Sequence, residues 1–140
     1  MSIAAPPIAA PSIAAPKPIP PTLRLRIVFG PGEMIGPGKA DLLEGIARTG
    51  SIAAAGRAMA MSYKRAWMLV ETMNATFRQP LVDSTRGGPK GGGAVLTAAG
   101  ATVVQLYRQI EAQAVAANAA GLAELAALLA DAASDIPGGK

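Results

Sequence analysis

The chain has 140 residues, one domain's worth with additional segments, and contains neither cysteine nor histidine. That composition excludes disulfides, thiol catalysis, zinc fingers, most transition-metal sites and histidine acid–base chemistry. The formal net charge is +4 and the pI about 9.9, a mildly basic balance that is unevenly spread. Between Arg57 and Lys90, six basic residues (57, 64, 65, 78, 86, 90) oppose Glu71 and Asp83, whereas from Gly91 onward two basic residues face four acidic ones. A polyanion would therefore bind on the middle stretch.

Residues 1–22 are low in complexity, with Ile-Ala-Ala-Pro recurring at 3–6, 8–11 and 13–16. Prolines this frequent forbid a helix and favour extended, polyproline-like chain, so this segment is predicted to be a disordered tail. It lacks the charged start and unbroken apolar stretch of a signal peptide. No apolar run approaches the roughly 18 residues of a membrane span, and a cytoplasmic location is expected.

Leu23, Leu25, Ile27 and Phe29 alternate with Arg24, Arg26 and Val28, which predicts a half-buried strand with the first set facing inward. Gly30-Pro31-Gly32 turns the chain, Glu33 to Ile35 returns as a short strand, and Gly36-Pro37-Gly38 turns it again. The GPGK at 36–39 lacks the first glycine and the spacing of a Walker phosphate loop. Lys39 to Thr49 reads as a helix with Leu42, Leu43, Ile46 and Ala47 inward.

Gly50 ends that helix and Ser51 caps a new one. Ile52, Ala55, Gly56 and Met59 share one face, with small residues where a second helix can approach. Met61 sits in a turn and plugs the core, and Ser62 caps a second helix whose inward stripe is Ala66, Val70, Met73 and Phe77. Its opposite face shows Lys64, Arg65, Met68, Glu71 and Thr72. Two short helices around a tight turn, the second opening on polar and basic residues, make the pattern of a DNA-reading helix-turn-helix. Lys64 and Arg65 are expected to contact DNA, with a solvated face as the alternative. Tyr63 and Trp67 are expected to form a packing pair at the domain boundary, with stacking on DNA as the alternative.

Pro80 breaks the second helix, and Leu81 to Thr85 and Ala94 to Thr97 read as strands around the glycine-rich loop 86–93. Directly after a recognition helix this is a wing, and Arg86 and Lys90 are expected to touch phosphates or a minor groove. The alternative is a mobile hairpin tip with incidental charge. Thr97 caps a long helix whose apolar face comprises Val103, Leu106, Tyr107, Ile110, Ala114 and Ala117. Gly121 is expected to interrupt it before Leu122, Leu125, Leu128 and Leu129. So much apolar surface predicts a dimerisation helix, with folding back on its own domain as the alternative.

The stretches GSIAAAGRAMAMSYKRAW and PLVDSTRGGPKGGGAVLTAAG resemble the N-terminal DNA-binding domain of the ModE family of molybdate-responsive regulators, and more distantly the LysR-type winged helix-turn-helix. The marks are GSI at 50–52, SYK-x-AW at 62–67, the glycines at 87–93 and LT-x-x-G at 96–100, within a resemblance covering roughly Leu23 to Ala117. The resemblance implies a homodimer on a palindromic operator near molybdenum-related genes. It also implies that Ser62, Tyr63, Lys64 and Arg65 approach the groove while the glycine wing flanks it. Only helix is expected after Thr97, so the family's C-terminal molybdate-binding domains, and molybdate binding with them, are not expected here.

The expected protein is thus α+β, with a tail at 1–22, a winged helix-turn-helix at 23–97 and C-terminal dimerisation helices at 98–134. Its expected partner is double-stranded DNA, and its expected role is transcriptional regulation. No paired carboxylates, Ser/His/Asp set or metal cluster stands out, so no enzyme, cofactor or metal is expected. The alternative is a winged-helix protein-interaction module that uses the C-terminal helix and the Pro-rich tail.

Overall fold

The computed structural model describes residues 21–85 and 93–130. Strands β1 (Ile27–Gly30) and β2 (Glu33–Ile35) form an antiparallel hairpin ahead of helices α1 (Pro37–Thr49), α2 (Ile52–Ala58) and α3 (Tyr63–Thr76). A second antiparallel hairpin, β3 (Val82–Thr85) with β4 (Gly93–Leu96), precedes α4 (Ala98–Ala117) and α5 (Ala119–Ala127). This is an α+β winged helix-turn-helix with a long helix behind it. Leu23–Ala117, which includes α4, forms one compact unit. The chain from Asn118 onward, with α5, lies outside that unit.

The core is built from small contributions by the elements from β1 to α4. Leu42, Leu43 and Ile46 of α1 are fully buried, joined by Ile52 and Ala55 of α2, Ala66, Val70 and Met73 of α3, and Leu81, Val82 and Ala94 at the wing. No buried polar or charged residue occurs among the described residues, so burial is unopposed by charge desolvation.

The first strand is shorter than its alternation predicted. The pairing Ile27↔Ile35 and Val28↔Met34 shifts before Gly30↔Glu33, and this bulge turns Phe29 outward. Phe29 is 52% exposed and meets the ring of Phe77 edge-on, with centroids 5.6 Å apart. The last helix also differs from expectation. α4 gives way at Asn118, while Gly121 lies inside α5.

Two serines start the helix-turn-helix as capping chemistry requires. Ser51 Oγ accepts from the Ala54 N–H at 3.0 Å and Ser62 Oγ from the Arg65 N–H at 3.1 Å. The turn between α2 and α3 closes through Ala60, which holds a left-handed φ of 59°. A Cβ is disfavoured in that conformation. Ala60→Gly is therefore expected to stabilise the domain by about 0.5–1 kcal/mol. A thermal melt checks this, and a lowered midpoint would show that the turn is not strained at Ala60.

Candidate nucleic-acid interface

α3 is held by its buried stripe and offers the rest of its surface to solvent. Ala66, Val70 and Met73 are buried, and Phe77 just beyond the helix is half-buried, whereas Ser62, Tyr63, Lys64, Arg65, Met68, Glu71 and Thr72 are exposed. The four expected reading residues at the start of α3 are thus brought together on one open turn. No acidic residue lies in that turn. A helix N-terminus carries the positive end of the macrodipole, where cations are ordinarily disfavoured and anions bind. Lys64 and Arg65 add to that positive end, which weakens the helix locally and concentrates positive potential where a phosphate chain would approach.

Tyr63 and Trp67 differ in burial. Trp67 packs partly against the core, while the Tyr63 side chain is 58% exposed. Together with Ser51, Ser84, Thr85 and Gly93 they line an open groove of about 470 Å³ between the helix-turn-helix and the base of the wing. Its rim is rich in hydroxyls, which suit phosphate and sugar oxygens.

Three joints set the wing's position relative to the reading helix. Asn74 of α3 accepts from the Leu81 and Val82 N–H groups at 2.8 and 3.1 Å through Oδ1, and its Nδ2 donates to the Val82 carbonyl at 3.1 Å. Gly50, in a left-handed C-cap with φ 74°, accepts from the Ala94 N–H at 3.0 Å, tying the α1–α2 turn to β4. Thr97 donates its hydroxyl to the Pro80 carbonyl at 2.6 Å and accepts from the Gly100 N–H at 3.0 Å. Asn74 carries no periodic signal, and its partners lie seven and eight residues away, so sequence reading passed over it. Arg86 and Lys90, the expected wing contacts, lie outside the described residues.

The expected dimerisation face of α4 is divided. Tyr107 is buried in its own domain, where its hydroxyl donates to the Leu25 carbonyl at 2.6 Å, and Val103 packs on the same core. That removes Tyr107 from a free face: the aromatic ring fills the gap between α4 and the first strand's approach. Leu106 and Ile110 remain 52% and 44% exposed, Ala114 is half-buried and Ala117 is exposed. Beside Tyr107, Arg108 clamps α4 to α1, with its guanidinium 2.6 Å from Asp41 and 2.8 Å from Glu44, and 3.0 Å from Glu111 on its own helix. The Arg108 hydrogen bonds hold the Glu44 carboxyl below the usual carboxylate range.

No described helix is long and apolar enough to cross a membrane, and the described residues contain no cluster of potential metal ligands. Residues 39–101 match the family of bacterial regulatory helix-turn-helix proteins of the lysR type. The chain is 47% identical over 81 residues to the molybdenum-pterin-binding protein MopB of Rhodobacter capsulatus, covering 58% of this chain and 30% of that relative. It is 46% identical over 70 residues to the molybdenum transport protein ModE of Azotobacter vinelandii, covering 50% of this chain and 26% of the relative. Against the DNA-binding transcriptional dual regulator ModE of Escherichia coli K12 it is 42% identical over 71 residues, covering 51% and 27% respectively. The match thus spans less than a third of the length of these curated relatives. The segment from Lys39 to Ala101 is accordingly similar to the regulatory helix-turn-helix of lysR-type proteins, and the chain is similar in sequence to part of the ModE proteins.

Proposed function

We propose that the protein is a DNA-binding transcriptional regulator of molybdenum-related genes, acting in the cytoplasm as a homodimer on a palindromic operator. The observation that carries the reading is the first turn of α3: capped by Ser62, free of acidic residues, and exposing Tyr63, Lys64 and Arg65 together. Phosphate contacts supply affinity and register, and base edges in the major groove supply specificity. Arg65 can meet guanine O6 and N7 with a planar fork that Lys64 matches only as a point charge. Arg86 and Lys90, by their place in the sequence between β3 and β4, serve as backbone contacts. The family match over residues 39–101 is to a regulatory helix-turn-helix, so DNA binding and not molybdate binding is proposed for this segment.

Recovery of bound fragments across the genome tests the regulon: sites are expected beside genes for molybdate uptake or molybdoenzymes. Arg65→Ala is expected to cost about 1–3 kcal/mol on the preferred site and to relax preference at one base position. In vitro site selection on the wild type and the variant checks this. An unchanged selected sequence for Arg65→Ala would assign base reading to another part of the fold.

The dimer reading is supported by the apolar face that α4 leaves open at Leu106 and Ile110. Ile110→Glu would place an uncompensated charge in that seam, which is costly once desolvated. Sedimentation is expected to report a dimer for the wild type and a monomer for Ile110→Glu, with weaker binding because two half-sites are no longer read together. A monomeric wild type would contradict the dimer.

A further inference from the structure

At the centre of the exposed face of α3 stands a residue that the charge pattern leaves unexplained. Met68 lies one turn after Lys64 and one turn before Thr72, and it is 56% exposed despite being large and apolar. It takes no part in the core, which α3 meets with Ala66, Val70 and Met73. With Lys64, Arg65, Leu69 and Thr72 it lines a shallow depression of about 250 Å³. Thr72, one turn on, turns its hydroxyl back to the Met68 carbonyl at 3.0 Å. The face therefore has an exposed apolar residue one turn after two cations, with Glu71 and Thr72 one turn beyond it.

An unbranched thioether with three rotatable bonds fits irregular apolar surface. In the major groove the one apolar feature of a base pair is the thymine C5-methyl group. We propose that Met68 is a specificity-determining residue that packs on a thymine methyl, one position along the helix from the base read by Arg65. The inference rests on the DNA-binding reading above and adds the kind of base that the middle of the helix selects. The neighbouring charges argue for this occupant over a protein partner: one turn before Met68, Lys64 suits a phosphate and Arg65 a guanine edge next to the thymine.

Deoxyuridine in place of thymine removes that methyl and nothing else from the groove edge. Each thymine of the site selected by the wild type is replaced in turn, and affinity is measured for the wild type, Met68→Ala and Met68→Leu. At one thymine per half-site the wild type is expected to bind about fourfold more weakly to the deoxyuridine site, the effect of losing one buried methyl-sized group. Met68→Ala is expected to bind both sites alike at that position, while Met68→Leu keeps the discrimination. Because Met68 is outside the core, all three proteins are expected to melt together. A wild type that prefers a site yet ignores every deoxyuridine replacement would overturn the inference while leaving DNA binding intact. So would a Met68→Ala protein that discriminates as the wild type does. A wild type that binds no DNA at all would overturn the DNA-binding reading, and this inference with it.

Discussion

Gly100→Ala is expected to destabilise the winged domain by about 3 kcal/mol or more, the largest single effect of any one-methyl change here. Gly100 opens α4 directly beneath the chain that enters the wing. A Cβ placed on it would collide with the carbonyl oxygen of Leu81 and sit 3.0 Å from its carbonyl carbon. Both are backbone atoms, so no rotamer change relieves the overlap. Leu81 cannot withdraw either, since its side chain is fully buried and its carbonyl accepts from the Thr97 N–H at 2.9 Å. The same joint holds Thr97 on Pro80, so prying α4 away also loosens the cap of α4 and the base of the wing. Urea denaturation of the variant tests this. A loss under about 1 kcal/mol would mean that α4 shifts freely against Leu81. Gly121→Ala is the control, because a Cβ there meets nothing within 4 Å.

Asn74→Ala is expected to cost about 3 kcal/mol, because it removes one acceptor shared by two backbone N–H groups and one donor to a carbonyl. Leu81 and Val82 are buried, so their N–H groups would lose Asn74 with no ready access to water in exchange. The consequence reaches function. Asn74 ties the second half of α3 to the first residues of β3, and it thereby sets the wing against the reading helix. Asn74→Asp keeps the acceptor and loses the donor, so it is expected to fall between the wild type and Asn74→Ala in stability. An Asn74→Ala protein as stable as the wild type would show that the wing is held by its strand pairing and Thr97 alone.

The elements that sequence reading located well are those governed by local chemistry. Ser51 and Ser62 cap where they were expected to, because an N-cap depends on a hydroxyl and the next three N–H groups. The inward stripe of α3 follows from helical spacing alone. What sequence reading misplaced depends on distant partners. Phe29 faces out because a bulge, set by how β1 pairs with β2, breaks the alternation. Tyr107 faces in because its hydroxyl finds the Leu25 carbonyl 82 residues earlier in the chain, a contact that no helical periodicity encodes. Asn74 escaped notice because a side chain that satisfies backbone groups seven and eight residues on leaves no composition signal. In the interface itself, the charges of Lys64 and Arg65 are legible in the sequence, whereas the neutral Met68 one turn on stands out only by its exposure beside the filled core.

The measurement that bears most directly on DNA reading by α3 is the affinity of the whole protein for its selected site and for a scrambled duplex, taken across a series of salt concentrations. The selected site is expected to bind more tightly at every salt concentration. For both duplexes the logarithm of the binding constant is expected to fall linearly with the logarithm of salt, by about 0.9 per phosphate neutralised. Lys64→Ala is expected to reduce that slope by about one contact. Equal affinity for the two duplexes, or binding that does not change with salt, would contradict the assignment of α3 as a DNA-reading helix.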